Sequence, residues 1–358
     1  QHYSREQHKP MDALSKEDKI ALTRALDGRG LLNYKEATAY VAAKLDVSRG
    51  TIYNYLNWSK AVKTMVVHQV NAFTEKGGKG GNPAGVVLCA DDLTEPMMKN
   101  IARQLQFSET AFVVKDKKEG DLRHLTMRYF TRTGVEVSFC GHSSIGVLCM
   151  LQKKDHEQGS PNQKMCLHTA LGEVAADMGP DFILSYGNPP VVFEAPPINQ
   201  ETLLNALEID ENDMLSGSEI MYESQNKLLY IAVNSLKNMT KMAPNFKRLK
   251  QLSKANNVVA VCVVTMESEQ KENDMQIRCF CPGVGIDEDA VTGCLGQGLV
   301  AFVDKLGLLK SNQLIVEQGH CIGMPGIMRL EIEQKGKTMH VITHATAKHF
   351  SSSEVYLD

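Results

Sequence analysis

The sequence predicts an α+β body made of two similar halves, preceded by a small all-α module. Three observations lead there. From Val66 onward, strand-like runs such as MVVHQVNAF, GVVLCA, TAFVV and LTMRYFT alternate with a few helical runs, as mixed sheets require. Two segments, FTRTGVEVSFCGHSSIGVLCML and FCPGVGIDEDAVTGCLGQGLVAFV, look like internal copies whose glycines, Gly141 and Gly293, stand 152 residues apart, close to one domain length. Before Val66 the apolar periodicity is helical. The chain has 358 residues, which fits two or three domains at about 150 residues each.

Composition excludes several classes. Hydrophobic residues are 43% and charged residues 23%, which argues against a disordered or low-complexity chain. No run of 18 or more apolar residues occurs, so no membrane partner is expected. Nine cysteines are scattered without CxxC pairs or zinc spacing, and a reduced, cytoplasmic location is expected. The net charge is -3, but it is unevenly spread. Residues 1–60 hold ten basic and seven acidic side chains, whereas residues 61–358 hold 29 and 35. A nucleic-acid partner would therefore meet the N-terminal piece.

The opening QHYSREQHKP is polar, lacks the apolar core of a signal peptide, and is read as a disordered tail over residues 1–12. Residues 13–60 form the first module. A helix over 14–28 is capped by Ser15, followed by Glu17 and Asp18, and stops at Gly28. Ala39, Val41, Ala42 and Leu45 then mark a second helix, Asp46 and Val47 a turn, and Ser48 the cap of a third helix carrying Ile52, Tyr53 and Leu56. Two short helices joined by a tight turn are a helix-turn-helix pattern. In that reading Arg49, Thr51, Asn54 and Tyr55 are offered to a DNA groove. The run GLLNYKEATAYVAAKLDVSRGTIYNYL resembles the helix-turn-helix segment of YheO-like bacterial regulators. The alternative is a three-helix module for protein contact or dimerisation.

The body divides into a first half over 65–185 and a second over 186–358, with closing strands returning to the first. EPMMKNIARQLQ and SSIGVLCMLQKK are its first helices, and a connector from Pro197 to Asp213 carries the short helix TLLNALEI. In each copy a strand ending in Phe (Phe130, Phe280) runs past an acidic residue to Gly141 or Gly293, with a further glycine (Gly146, Gly298) inside an apolar helix. A strand that turns at glycine into a helix aims free N–H groups outward, and helix N-termini attract anions. Two such turns facing across a cleft would hold a carboxylate or an enolate-like anion. Close helix–strand packing is the other use of such glycines.

Ionisable groups gather on these turns. Glu109 enters a strand in FSETAFVV, His142 follows Gly141, and Asp289 precedes Gly293 by four residues. Cys140 and Cys294 flank the glycines. A carboxylate and a histidine at one buried anion form an acid/base pair. A thiol at a helix N-terminus is expected to have a lowered pKa and to offer a second base. For Cys140 the alternative is a small buried hydrophobe.

The motifs VNAFTEKGGKGGNPAGVV, SETAFVV, YFTRTGVEVSFCGHSSIGV, DEDAVTGCLGQGL and VEQGHCIGMPG resemble those of the PhzF-like (phenazine biosynthesis-like) family, of the diaminopimelate epimerase fold. The resemblance runs from about Met65 to the C-terminus. It implies two pseudo-symmetric halves, each a curved mixed sheet around a central helix, with the active site between them. It also implies a homodimer, a small carboxylate-bearing substrate, and no cofactor or metal. By resemblance Glu109 moves the proton, His142 orients the substrate or relays a proton, and Asp289 makes a polar contact. Gly141, Ser143, Gly293 and Cys294 contact the substrate, and Asn82 of the GNPAG turn shapes the pocket wall. The sequence departs from the family where Cys140 replaces Ala, Ser143 replaces Pro and Met324 replaces the Arg of a GRP turn. Related racemases carry a thiol before each glycine, and the second of those positions is Thr292 here.

The expected activity is an isomerase of the trans-2,3-dihydro-3-hydroxyanthranilate isomerase type, with Glu109 as acid/base. Two alternatives stand beside it. One is an amino-acid epimerase or racemase using Cys140 or Cys294. The other is a DNA-binding, metabolite-responsive regulator.

Overall fold

The computed structural model describes residues 14–34, 36–58, 64–157, 163–179, 181–186, 191–335 and 338–357. The expected tail over 1–12 lies outside them. Two compact units are present, one holding the N-terminal helices up to Thr64 and the other spanning Met65–Val355. Among the described residues no helix is long and apolar enough to cross a membrane.

The N-terminal unit contains α1 (Lys16–Gly28), α2 (Ala37–Lys44) and α3 (Arg49–Trp58). Ser15 caps α1 in a reciprocal box with Asp18. The Ser48 hydroxyl accepts from Thr51 N at 3.0 Å at the start of α3. Leu14, Leu22, Ala42, Leu45, Ile52 and Tyr55 form its core. One expectation is corrected here. Tyr55 is 6% exposed and packs in the core, whereas Tyr53 is 50% exposed. Ile52, Tyr55 and Leu56 share the i, i+3, i+4 stripe of a 3.6-residue helix, and Tyr53 lies about 100° away from it. Arg49 is exposed and Thr51 partly so. The Asn54 side chain lies outside the described set.

The body holds eighteen strands and six helices among the described residues. In chain order they are β1 (Thr64–Ala72), β2 (Asn82–Val87), α4 (Glu95–Leu105), β3 (Glu109–Glu119), β4 (Leu122–Thr131), β5 (Glu136–Val137), α5 (Gly141–Glu157), β6 (Gln163–Thr169), β7 (Gly172–Met178) and β8 (Phe182–Tyr186). There follow β9 (Phe193–Glu194), α6 (Gln200–Leu207), β10 (Met221–Glu223), β11 (Leu228–Ala232), α7 (Leu236–Lys241), α8 (Phe246–Ala255), β12 (Ala260–Thr265), β13 (Met275–Cys281), β14 (Ile286–Asp289), α9 (Gly296–Lys305), β15 (Gln313–Gln318), β16 (Gly326–Lys335), β17 (Thr338–Ala345) and β18 (Ala347–Tyr356).

One pairing order occurs twice. β2 pairs parallel to β3, β3 antiparallel to β4, and β4 antiparallel to β5 and parallel to β6. β11 pairs parallel to β12, β12 antiparallel to β13, and β13 antiparallel to β14 and parallel to β15. The buried helices α5 and α9 sit at the same place in each order, between the short antiparallel strand and the next parallel one. Their apolar residues are buried on nearly every side, which marks core helices rather than surface ones. β17 pairs with β16 on one side and β8 on the other, so a single sheet runs through both copies.

Candidate active site

The two glycine turns meet. Gly141 opens α5, and Gly293 opens a 3-10 turn, Gly293–Leu295, that leads into α9. A methyl group built on Gly141 would stand 3.6 Å from the Gly293 carbonyl carbon and 3.8 Å from Cys294 N. Ser144 N donates to Cys140 O as the first main-chain bond of α5, so the earlier N–H groups lack a carbonyl within the helix. The two positive helix ends therefore point at one place.

A cavity of about 260 Å³ lies there. Its polar wall carries Glu109, Arg132, Cys140, His142, Asp289 and Cys294, and Gly141 and Gly293 lie between them. Val137, Phe139, Leu228, Val259 and Ile286 supply an apolar wall. The sequence order thus brings Glu109, His142, Asp289, both glycines and both thiols to one cavity.

Glu109 is delivered by a chain reversal. α4 ends at Gln106, whose left-handed φ of 59° turns the backbone into β3. Burial raises the Glu109 pKa above its ordinary value, with Ser108 and Arg132 pulling the other way. His142 Nε2 lies 3.6 Å from Glu109 Oε2 and 3.2 Å from Ser108 Oγ. Burial lowers the His142 pKa, so its imidazole is neutral at pH 7. Asp289 Oδ1 accepts from Asn82 Nδ2 at 2.9 Å, and Oδ2 accepts from Thr292 Oγ1 at 2.7 Å. Burial pushes the Asp289 carboxyl up to about 6.

The expectation for the thiols is corrected. Burial pushes Cys140 well up and Cys294 up to about 12. Loss of water outweighs the helix dipole here, and Glu109 adds like-charge opposition at both. Cys294 is exposed where it lines the cavity, and its thiol is nevertheless pushed up. Cys140 Sγ lies 3.2 Å from His142 Nδ1 and accepts from Ser143 Oγ at 3.0 Å. It is held as a thiol.

Two further expectations change. Ser143 is fully buried and its hydroxyl is committed to Cys140, so it does not line the cavity. Asn82 is 3% exposed and stands behind Asp289, where it also donates to Val291 O at 2.9 Å. It positions Asp289 rather than forming the wall.

Four residues that the sequence did not assign to the site line or support it. Ser108 precedes Glu109 directly and reaches His142. Arg132 lines the cavity and donates to Gly285 O, across the two copies. Thr292 holds Asp289. Gln318 Nε2 donates to Asp289 O and Thr292 Oγ1, while its Oε1 accepts from Thr292 N. Ser108, Arg132 and Thr292 sit inside the quoted motifs, so adjacency was their available signal. Gln318 also lies in a quoted motif, VEQGHCIGMPG, but nothing beside it in the chain points to Asp289.

Glu109, Cys140 and His142 bring one ligand-type atom each within 4.8 Å of one another.

Residues 70–348 match the family described as phenazine biosynthesis-like protein. The chain belongs to this family. An uncharacterised isomerase of Clostridium acetobutylicum is 31% identical over 82% of this chain and 98% of its own length. The crystal structure of the Bacillus anthracis phenazine biosynthesis protein of the PhzF family superposes with a TM-score of 0.71 at 27% identity, over 82% of this chain and 99% of that one. A hydroxyproline epimerase from Agrobacterium vitis shares the fold, with a TM-score of 0.51 at 13% identity over 83% of this chain and 93% of that one. Residues 1–57 match a helix-turn-helix domain.

Proposed function

We propose that the body is an isomerase that moves a proton between two carbons of a small carboxylate-bearing metabolite, with Glu109 as the acid/base. The reading rests on Glu109, a carboxylate of raised pKa in an apolar cavity beside two apposed helix N-termini. The ionised carboxylate removes a proton from a C–H activated by the substrate's conjugated system. The electron pair passes to an enolate-like anion, whose charge the N–H groups at Gly141 and Gly293 balance. The protonated Glu109 then returns its proton to another carbon. The neutral His142 donates or accepts a hydrogen bond and carries no charge to neutralise the base. This step needs only the chain's own groups and the substrate. The curated relatives named as isomerases support the class of reaction. The dihydro-hydroxyanthranilate is the first substrate to try.

The repeat favours one base over two. Thr110 pairs with Phe130, and Val261 pairs with Phe280, so Ala260 stands where Glu109 stands in the other copy. Thr292 likewise stands where Cys140 does. A racemase that inverts a carbon needs bases on opposite faces. Here the second copy repeats neither Glu109 nor Cys140, and both cavity thiols are pushed towards protonation. That favours transfer on one face over a thiol epimerase.

The test is proton exchange followed by NMR. The full chain and Glu109→Gln are incubated in D2O with the dihydro-hydroxyanthranilate and a panel of amino acids. Deuterium uptake or isomerisation that vanishes in the variant supports the reading. Uptake that survives in the variant but is lost on alkylation overturns it in favour of a thiol epimerase.

A second reading concerns the N-terminal unit, supported by the helix-turn-helix match and by exposed Arg49. It binds DNA, which makes the chain a candidate metabolite-responsive regulator. A gel shift of the full chain on genomic fragments at low salt tests it, and Arg49→Ala weakens any shift seen. No shift at low salt refutes it.

A further inference from the structure

A second cluster of metal-ligating side chains lies away from the cavity. His124 of β4 pairs in register with Cys166 of β6, and His168 follows two residues on. All three therefore project from one face of the sheet, opposite the face that buries Leu125, Met127, Met165 and Leu167 in the core. One ligand atom from each of the three lies within 4.8 Å of the other two. His124 Nδ1 and His168 Nε2 are 3.0 Å apart, with the rings stacked at 16°. None of these residues lines the cavity.

We propose that His124, Cys166 and His168 bind a zinc ion on this face, with Glu173 orienting His168. Zinc with bonds of about 2.0–2.1 Å to nitrogen and 2.3 Å to sulfur sets two nitrogens about 3.3 Å apart and nitrogen and sulfur about 3.6 Å apart. The two imidazole nitrogens share a hydrogen bond at 3.0 Å, which the ion replaces as its proton leaves and the pair opens by a few tenths of an ångström, and the Cys166 sulfur stands within 4.8 Å. His168 turns Nε2 towards the site and Nδ1 towards Glu173 Oε1, 3.5 Å away. Such a carboxylate behind a ligating histidine fixes the tautomer that leaves the other nitrogen free for metal. The three side chains are half-buried, so solvent reaches the fourth tetrahedral position. A thiolate with two imidazoles selects zinc over calcium or magnesium. Binding sends the Cys166 proton to solvent and changes no oxidation state. Lys117 faces His124 in register from β3 and is exposed, so its stem can carry the ammonium clear of the ion.

The test uses the full chain stripped of metal. Titration with Co2+ should give one equivalent of tetrahedral visible bands and a thiolate-to-cobalt charge-transfer band, both abolished by stoichiometric Zn2+. The charge-transfer band disappears in Cys166→Ser and persists in Cys140→Ala, which separates this site from the cavity. Glu173→Gln weakens zinc binding about tenfold. X-ray absorption of the zinc-loaded wild type should show one sulfur and two imidazole ligands, so the result does not depend on any variant folding. The proposal is overturned if the wild type takes up no Co2+ at about 10 µM. It is also overturned if uptake persists in Cys166→Ser with His168→Ala, or if the zinc shell contains no sulfur.

Discussion

Replacing Asp289 by Asn separates what this carboxyl does for catalysis from what it costs the fold. Burial moves the group from 3.8 to about 6 in the native protein. Between those values the native state holds a proton that the unfolded chain has released. Stability therefore falls as pH rises from about 4 to about 6 and is level above that. The fall expected from this one group is about 3 kcal/mol. Asn cannot ionise, so the variant lacks it. Asn does disturb one of the two hydrogen bonds, to Asn82 or to Thr292, at about 1 kcal/mol whatever the pH. The net expectation is a variant less stable than wild type near pH 4 and more stable, by about 1–2 kcal/mol, at pH 8. Urea denaturation of both proteins at pH 4, 6 and 8 measures it, and the difference between pH extremes cancels the hydrogen-bond loss. Parallel pH dependences, within about 0.5 kcal/mol, would refute the assignment of a raised, buried carboxyl. The same variant should lose turnover, the trade expected where an active site holds a costly charge.

Other consequences follow from the same geometry. Glu109→Gln should lower kcat/KM by about 100- to 10,000-fold, and the wild-type acid limb, where the base becomes protonated, should lie above the ordinary carboxyl value of 4.5 in a pH–rate profile. Gly293→Ala places a methyl 2.7 Å from the buried Phe73 ring, so unfolding should be easier by about 1–3 kcal/mol in a denaturant titration. Iodoacetamide at pH 8 should label exposed Cys89 and Cys321 and leave activity intact, because Cys140 is buried and the Cys294 thiol, although exposed, is pushed up to about 12; rapid inactivation traced by mass spectrometry to either cavity thiol would contradict this. Tyr55→Ala should loosen the N-terminal helices by about 3 kcal/mol and Tyr53→Ala by less than about 0.5, read as amide hydrogen exchange over residues 16–58 of the full chain.

Much of this protein was legible in one dimension, because local rules carry it. Ser15 and Ser48 cap helices through their own side chains, which needs no knowledge of the rest of the chain. The alternation of strand-like runs and the repeat of Gly141 at Gly293 mark the two copies, because a strand-to-helix turn demands glycine wherever it packs closely. The motifs around Glu109, His142 and Asp289 named the residues that one cavity gathers. What the sequence left open depends on distances between segments far apart in the chain. Which tyrosine of α3 faces inward is set by the stripe that α1 and α2 cover. The titration of Cys140 and Cys294 turned on how the folded chain desolvates them, and that desolvation outweighs the helix dipole that the local sequence advertises. Asn82 and Gln318 lie 207 and 29 residues from Asp289, and only folding puts them behind it. His124, Cys166 and His168 have no recognisable metal spacing, because the register of two parallel strands, rather than chain order, assembles them.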